Sequence, residues 1–359
     1  MNHSRDRVGV EALPAHPDRI DVRSPAEFAD DHLPGACNHP VLDDGERAQI
    51  GTLYATAPFE ARRLGAALVA RNVARMLETA FADRSREWKP LIYCWRGGMR
   101  SRSLAQVLNE VGWRAVQLDG GYRAYRRHVV TRLASDPLSY RFAVLCAPTG
   151  SGKSELLRAL AQAGAQTLDL EHIARHRGSR LGQLPGTSQP SQKAFESALF
   201  AALAGLDAAR TVYVEAESRR IGTVQLPDVL LERIRAGSRI TLHTPLAQRI
   251  ALLRNEYRHF IEHPTALVNR LRPLVSLHGR ITVARWEALA ARGDWEALIG
   301  ELLEVHYDPL YTRSLARHFP ASDGDVELDV DDVSADGFAA LAAAAIAAPS
   351  KSPAMALAR

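Results

Sequence analysis

FAVLCAPTGSGKS, residues 142–154, is a short apolar run followed by a glycine-rich turn and the start of a helical pattern. A strand followed by such a turn lets backbone amides and a lysine surround phosphate oxygens. The pattern departs from its usual form only at Ala147, which stands where a glycine is expected. Lys153 would neutralise phosphate charge, and Ser154 would reach a magnesium ion. The sequence predicts a diphosphate-binding loop formed by Thr149, Gly150, Ser151, Gly152, Lys153 and Ser154.

Acidic residues follow two further predicted strands, residues 166–170 and 211–214. Glu215 comes directly after the second strand, and Asp169 ends the first; both are candidates for a metal or phosphate site, with Mg²⁺ as the candidate ion. Acids at strand ends also cap helices or pair with arginines. Both interpretations stay open for Glu215, whereas capping or pairing is favoured for Glu171 and Glu217.

A second strand, loop and helix pattern surrounds Cys94, with a strand at 90–93 and a helix at 103–111. Backbone N–H groups of a glycine-rich loop at a helix start, together with two arginines, favour a thiolate over a thiol. A structural cysteine would leave these glycines and arginines without a role. We therefore predict that Cys94 is catalytic and that an anion is bound by Arg96, Gly97, Gly98 and Arg100.

Length and composition indicate a globular protein of two ordinary domains, with 359 residues and a net charge of +4. No apolar run is long enough for a membrane span or a signal core, so a cytoplasmic protein is expected. The three cysteines do not suggest disulfides or a zinc site, and Cys37 and Cys146 are predicted to be inert. The mildly basic charge is compatible with a nucleic-acid partner.

The first half of the chain resembles the rhodanese family at residues 21–28, at residues 32–38 and in the Cys94 loop. Rhodaneses carry sulfur on such a cysteine as a persulfide. Cys94 and Arg100 are separated by five residues, whereas many sulfurtransferase loops have four. Five is also the spacing of protein tyrosine phosphatases, and a wider loop suits a donor that bears a phosphoryl group. A phosphatase is disfavoured because no general-acid aspartate is identifiable.

The combination of both halves resembles the tRNA 2-selenouridine synthases. The resemblance includes the segments at 120–126, 168–172, 176–179, 189–193, 215–222 and 306–309. It implies that 2-thiouridine at the tRNA wobble position becomes 2-selenouridine, with selenophosphate as donor and S-geranyl-2-thiouridine, made from geranyl diphosphate, as intermediate. The Cys94 loop would then bind selenophosphate and the Lys153 loop the diphosphate, with no tightly bound cofactor. The alternative is a rhodanese-type tRNA sulfurtransferase with an ATP-using phosphate loop. Whether Cys94 forms a covalent selenium adduct stays open.

The predicted fold class is α/β, with a rhodanese-like parallel sheet followed by a P-loop NTPase-like domain that has a helical C-terminal part. The predicted domains are 1–136, then 137–320 with an arginine-rich helical segment at about 245–315, then a C-terminal segment at 321–359 with a disordered tail. The oligomeric state is not predicted. Candidates for contact with tRNA phosphates are Arg123, Arg126, Arg177 and Arg180.

Overall fold

The chain forms two compact α/β units, and the computed structural model describes residues 7–179, 181–320 and 324–348. The first unit contains the chain up to Arg132 together with Pro190–Ala201. The second contains Leu133–Gln189 and the chain from Ala202 onward. The sequence prediction places the boundary between residues 136 and 137 instead. Two parallel sheets with helices confirm the predicted fold class.

The sheet of the first unit has five strands in the order β1-β5-β4-β2-β3, and its pairings are parallel. The strands are β1 (Arg7–Val8), β2 (Arg19–Asp21), β3 (Ala36–Asn38), β4 (Leu91–Tyr93) and β5 (Val116–Leu118). The helices are α1 (Pro25–Asp30), α2 (Asp44–Thr56), α3 (Pro58–Glu78), α4 (Met99–Val111) and α5 (Gly121–Leu133), with a 3₁₀ turn at Val10–Ala15. Because β4 is central and buried, the residue that follows it lies at the carboxyl edge of the sheet, where ligands bind in parallel folds.

Local signals in the sequence explain where several of these elements begin. Ser24 forms a capping box with Glu27 at the start of α1, and Pro25 occupies the first turn. The segment 32–38, which carries part of the rhodanese resemblance, contains the edge strand β3. Helix α4 begins at Met99, four residues before the predicted start, so the Cys94 loop leads directly into it.

The second unit has a five-stranded parallel sheet in the order β12-β11-β6-β8-β7 and a separate β9-β10 hairpin. The strands are β6 (Arg141–Cys146), β7 (Gln166–Leu168), β8 (Thr211–Glu215), β9 (Arg220–Ile221), β10 (Val224–Gln225), β11 (Ser238–His243) and β12 (Val326–Asp329). The next helices are α6 (Lys153–Gln162), α7 (Leu170–Ala174), α8 (Gln192–Ala204), α9 (Asp228–Arg235), α10 (Leu246–Glu256), α11 (Arg258–Glu262) and α12 (Pro264–Leu271). They are followed by α13 (Val275–Arg292), α14 (Trp295–Glu301), a π-helical turn (Leu302–Tyr307), α15 (Asp308–His318) and α16 (Ala335–Ala347), while 3₁₀ turns occupy Asp136–Ser139 and Arg272–Leu274.

The C-terminal part of the described chain completes the second unit. Strand β12 pairs in parallel with β11, and Phe338 of α16 packs in the same core as Leu156 of α6. The stretch from α10 to α15 is helical, as predicted, and has its own core around Trp286. The predicted disordered tail, residues 349–359, lies outside the described residues. Within the described part of the chain, no helix combines the length and apolar character needed to cross a bilayer.

Candidate functional site

Cys94 lies at the end of β4, and its sulfur is surrounded by hydrogen-bond donors of its own loop. The residue is 3% exposed. Its Sγ accepts hydrogen bonds from the Gly98 backbone N–H at 3.2 Å and from the Ser101 hydroxyl at 3.1 Å. Gln117 donates from Nε2 to Ser101 Oγ at 2.6 Å and thereby orients the hydroxyl. The loop is therefore organised around the sulfur, because donors converge on it from two directions.

The loop keeps its shape through close backbone contacts that need glycine. Gly121 has φ +58°, and a Cβ there would lie 2.2 Å from the carbonyl oxygen of Cys94. This close approach lets the Tyr122 N–H donate to that carbonyl at 2.8 Å. Gln117 Nε2 also donates to the carbonyl oxygens of Gly97 and Gly98 at 2.9 and 3.1 Å. Hydrogen bonds from the start of α5 and from the side chain of Gln117 thus hold the backbone of the loop in place.

The two arginines of the loop have different surroundings. Arg96 is exposed. The Arg100 guanidinium instead forms an ion pair with Glu27, with Nη1 and Oε2 2.6 Å apart. Burial acts to raise the pKa of Glu27, but its hydrogen bond and ion pair with Arg100 bring the pKa below its usual value. Arg96 is therefore the loop arginine available to an anion, whereas Arg100 is already engaged by a carboxylate.

The predicted phosphate loop joins β6 to α6 and has the expected backbone. Gly150 and Gly152 have φ +78° and +84°, which only glycine adopts readily. Lys153 Nζ donates to the carbonyl oxygen of Ala147 at 2.8 Å. From α10, Arg249 donates to the Thr149 carbonyl oxygen, with Nη2 and O 2.8 Å apart. The loop backbone is therefore stabilised by hydrogen bonds from its own lysine and from an arginine of a neighbouring helix.

Three glutamates converge beside Lys153. Ligand oxygens of Glu171, Glu215 and Glu217 all lie within 4.8 Å of one another. Burial, followed by the charges of the other two, raises the pKa of Glu171 to about 10. Burial also raises the pKa of Glu215 to about 7, although Lys153 opposes the shift. The sequence favoured helix capping or arginine pairing for Glu171 and Glu217. The structure corrects this interpretation, because both carboxylates belong to the cluster.

These residues fit a divalent cation. Glu215 is 4% exposed, and its buried Oε1 has no hydrogen-bond partner among the described residues. Ser154, at the start of α6, lies beside the same carboxylate and acts to lower its pKa. A Cβ on Gly178, which has φ +64°, would come within 3.0 Å of carboxylate oxygens of Glu171 and Glu217, so glycine leaves this space open. Oxygen ligands of this kind suit Mg²⁺.

Asp169 has the role that the capping interpretation describes. Its carboxylate accepts the backbone N–H of His172 at 2.8 Å and caps α7. It is close enough to contribute to the raised pKa of Glu215. Asp169 is therefore a helix cap at the edge of the glutamate cluster.

Family comparisons match both units. The pattern of the Rhodanese-like domain matches residues 10–128, and that of the tRNA 2-selenouridine synthase AAA domain matches residues 140–270. A tRNA 2-selenouridine synthase from Nitrosomonas europaea is 31% identical over 353 residues, covering 83% of this chain and 89% of that protein. The proteins of the same name from Chromohalobacter salexigens and Alcanivorax borkumensis are 35% and 32% identical, covering 82% and 83% of this chain and 87% and 89% of their own lengths.

The chain belongs to the tRNA 2-selenouridine synthase family. The resemblance stated from the sequence is therefore confirmed. In this family member, sequence reasoning missed Ser101, Gln117 and Glu27, which support the Cys94 loop. Ser101 directly follows Arg100 in the sequence and lies in the first turn of α4. This position was the signal that could have indicated a contact with the Cys94 loop.

The arginines predicted to contact tRNA have different surroundings in this synthase family member. Arg123 is exposed and has no ion pair among the described residues. Arg126 is paired with Glu196 inside the first unit and is 18% exposed. Arg177 pairs with Glu256 at 2.8 Å. Arg180 lies outside the described residues. Arg126 is thus chiefly a structural residue, whereas Arg123 is free to contact a polyanion.

Proposed function

We propose that this protein replaces the sulfur of wobble-position 2-thiouridine in tRNA with selenium from selenophosphate, through S-geranyl-2-thiouridine formed from geranyl diphosphate. The observation that supports it most is that one chain of this family contains a loop whose donors converge on the Cys94 sulfur and a glycine-rich loop that leads into α6 at Lys153. Two loops suit two steps that each use a phosphorylated substrate. The synthase name carried by the relatives supports a role in making tRNA selenouridine.

The alkylation step belongs to the phosphate loop in this proposal. The 2-thiouridine sulfur attacks C1 of the geranyl chain, the C1–O bond breaks, diphosphate leaves, and the N3 proton of the base is released to diphosphate or water. Its negative charge would be met by Lys153 and by the N–H groups at the start of α6. Arg177 and Arg235 line the same cavity, and each has a buried guanidinium nitrogen without a partner among the described residues. These nitrogens are suited to donate to the leaving group.

Mg²⁺ would be held by Glu215 with Glu171, Glu217 and Ser154. A magnesium ion supplies further neutralisation of the diphosphate charge. Ser154 and Lys153 lie beside the Glu215 carboxylate, and both act to lower its pKa. The glutamates therefore need a cation or protons, because three adjacent carboxylates repel one another.

The selenium step belongs to the Cys94 loop. Selenium of selenophosphate would form a bond to C2 of the uracil ring while the C–S bond breaks and geranylthiol leaves with a proton. Water would then cleave the Se–P bond and release phosphate. Arg96, which is exposed in the Cys94 loop, would bind the phosphoryl oxygens, while the Gly98 N–H donates to the Cys94 sulfur.

Transfer RNA would bind through phosphate contacts, with exposed Arg123 as the first candidate on the rhodanese-like unit. Arg177 is the candidate near the phosphate loop, although it already pairs with Glu256. Electrostatic binding of this kind weakens as counterions compete, so tRNA affinity should fall steeply with salt. A flat salt response would remove this part of the proposal.

Mass spectrometry of tRNA nucleosides tests the proposal as a whole. The protein is incubated with thiolated tRNA and geranyl diphosphate, then with selenophosphate, and each nucleoside is quantified. We expect S-geranyl-2-thiouridine in the first reaction and 2-selenouridine in the second. An unchanged 2-thiouridine in both reactions would contradict the proposal, and ATP-dependent sulfur delivery would favour the sulfurtransferase alternative.

A further inference from the structure

An apolar cavity lies beside the phosphate loop, within the helical part of the second unit. Its walls come from α10, α11, α14 and the π-helical turn, with aromatic rings and branched aliphatic side chains facing one another. The residues that form most of its surface include Tyr257, Phe260, Ile261, Trp295, Leu298 and Ile299. This cavity has no part in the proposed handling of the diphosphate.

The apolar cavity adjoins the polar cavity that contains Lys153. Thr149, Leu253, Tyr257 and Tyr307 line both. Leu253 packs closely on the phosphate loop, since a Cβ on Gly150 would lie 2.7 Å from its Cδ1 atom. A ligand whose phosphates lie on the loop would therefore have the apolar cavity directly beside it.

The few polar groups at this cavity are already engaged by other residues. The Tyr257 hydroxyl lies 3.4 Å from Ser179 Oγ, and Arg254 forms an ion pair with Glu296 at 2.6 Å. A nucleoside would bury a ribose and a base with several donors and acceptors, and such groups are costly to bury unpaired. A hydrocarbon chain requires no partners and gains from burial against leucine and aromatic side chains.

We infer that this cavity binds the hydrocarbon chain of a prenyl diphosphate whose diphosphate lies on the Lys153 loop. The inference rests on the proposed function, because it assigns to that reaction the residues that select an isoprenoid over a nucleotide. Ile299 of α14 and Ile261 of α11 both line the cavity and are only partly buried, so bulk added at either position is expected to enter the cavity with little damage to the core.

Titration calorimetry with geranyl diphosphate and with inorganic diphosphate tests this inference in the full chain with Mg²⁺. The wild-type protein should bind geranyl diphosphate at least about 100-fold more tightly, because each buried methylene adds roughly a fourfold gain in affinity. Ile299→Trp and Ile261→Trp should each remove at least about tenfold of this gain and leave the affinity for inorganic diphosphate unchanged. Lys153→Ala should weaken both ligands.

The matched control is Ile281→Trp, since Ile281 lies on α13 of the same unit and is 89% exposed. It should change neither affinity. Equal affinity of the wild type for both ligands, or an undiminished preference for geranyl diphosphate in both folded cavity variants, would overturn the inference. A cavity-dependent preference without any alkylation of thiolated tRNA would instead contradict the proposed function and leave the prenyl site in place.

Discussion

The Cys94 loop and the Lys153 loop share one construction but differ in how their charges are balanced. Each follows a buried central strand of a parallel sheet and leads into a helix. The sulfur of Cys94 has two donors from its own loop, and Arg100 has a carboxylate partner. Around Lys153, three glutamates lie together, and Glu215 Oε1 has no partner among the described residues.

This difference indicates that the two loops depend on ligands to different degrees. The Cys94 loop is held in place by its own hydrogen bonds, so its geometry should persist without substrate. The Lys153 loop has uncompensated acidic groups whose repulsion is relieved by protons or a cation. We therefore expect substitutions at Cys94 to affect chemistry alone, and substitutions at the glutamates to affect stability as well.

The largest effect is expected for Cys94→Ala. Selenation of S-geranylated tRNA should fall by at least about 1,000-fold, because the proposed selenophosphate site would lose the sulfur on which its loop donors converge. Geranylation should change less than about threefold. Both rates are measured by nucleoside mass spectrometry, with Cys37→Ala, an exposed cysteine of the same unit, as the control. An equal loss of both activities would contradict the assignment of selenation to the Cys94 loop and geranylation to the Lys153 loop.

Lys153→Ala should lower geranylation by roughly 100-fold, because a cation that meets the developing charge on diphosphate is removed. Selenation should return to the wild-type rate when S-geranylated tRNA is supplied directly. Lys89→Ala is a suitable control, since Lys89 is exposed in the first unit. Geranylation at the wild-type rate in the Lys153 variant would contradict the assignment of this loop.

Glu215→Gln is expected to stabilise the metal-free protein at high pH. Burial raises the pKa of Glu215 from 4.5 to about 7, so its contribution to stability is present below about pH 4.5 and is lost as pH rises through about 7. At pH 8 the variant should gain about 1–3 kcal/mol in the free energy of unfolding, and near pH 4 it should gain nothing. Urea unfolding at both pH values measures this.

With Mg²⁺ at pH 8, we expect the wild type to become more stable than Glu215→Gln. Mg²⁺ should raise the melting temperature of the wild type at pH 8 and have little effect on Glu215→Gln, because the amide is a weaker ligand. Glu232→Gln, at an exposed position of α9, should behave like the wild type in both respects. An identical response of the Glu215 variant to Mg²⁺ would exclude this carboxylate as a ligand.

The smallest effect is expected for Ser101→Ala. The loss of one hydroxyl donor to the Cys94 sulfur should lower selenation by about tenfold and leave geranylation unchanged. Ser103→Ala is the matched control, since Ser103 lies on the same helix and donates only to the Met99 carbonyl oxygen. An unchanged selenation rate in Ser101→Ala would show that the Gly98 N–H alone orients the sulfur.

The positions of the Cys94 and Lys153 loops could be predicted from the sequence because each is a local pattern of apolar strand, glycine and charged residue. The sequence did not predict the partners that reach a loop from distant positions. Glu27 lies far from Arg100 in the chain, and Arg249 reaches the Thr149 carbonyl from α10. The glutamate cluster was only partly foreseen, since the convergence of Glu171 on Glu215 depends on how β7 and β8 pair.

Residues 190–201 belong to the first unit, although they are synthesised after a large part of the second unit. Asp31 is buried and accepts hydrogen bonds from the Tyr122 hydroxyl at 2.8 Å and from Ser197 Oγ at 2.9 Å. Lys193 pairs with Asp30 in the same unit. On the ribosome, this unit cannot be completed until residue 201 has emerged, by which time the Lys153 loop has already been synthesised. A gene fragment that ends near residue 136 would encode a rhodanese-like half that lacks the Lys193 partner of Asp30 and the Ser197 donor to Asp31, although Tyr122 would still be present.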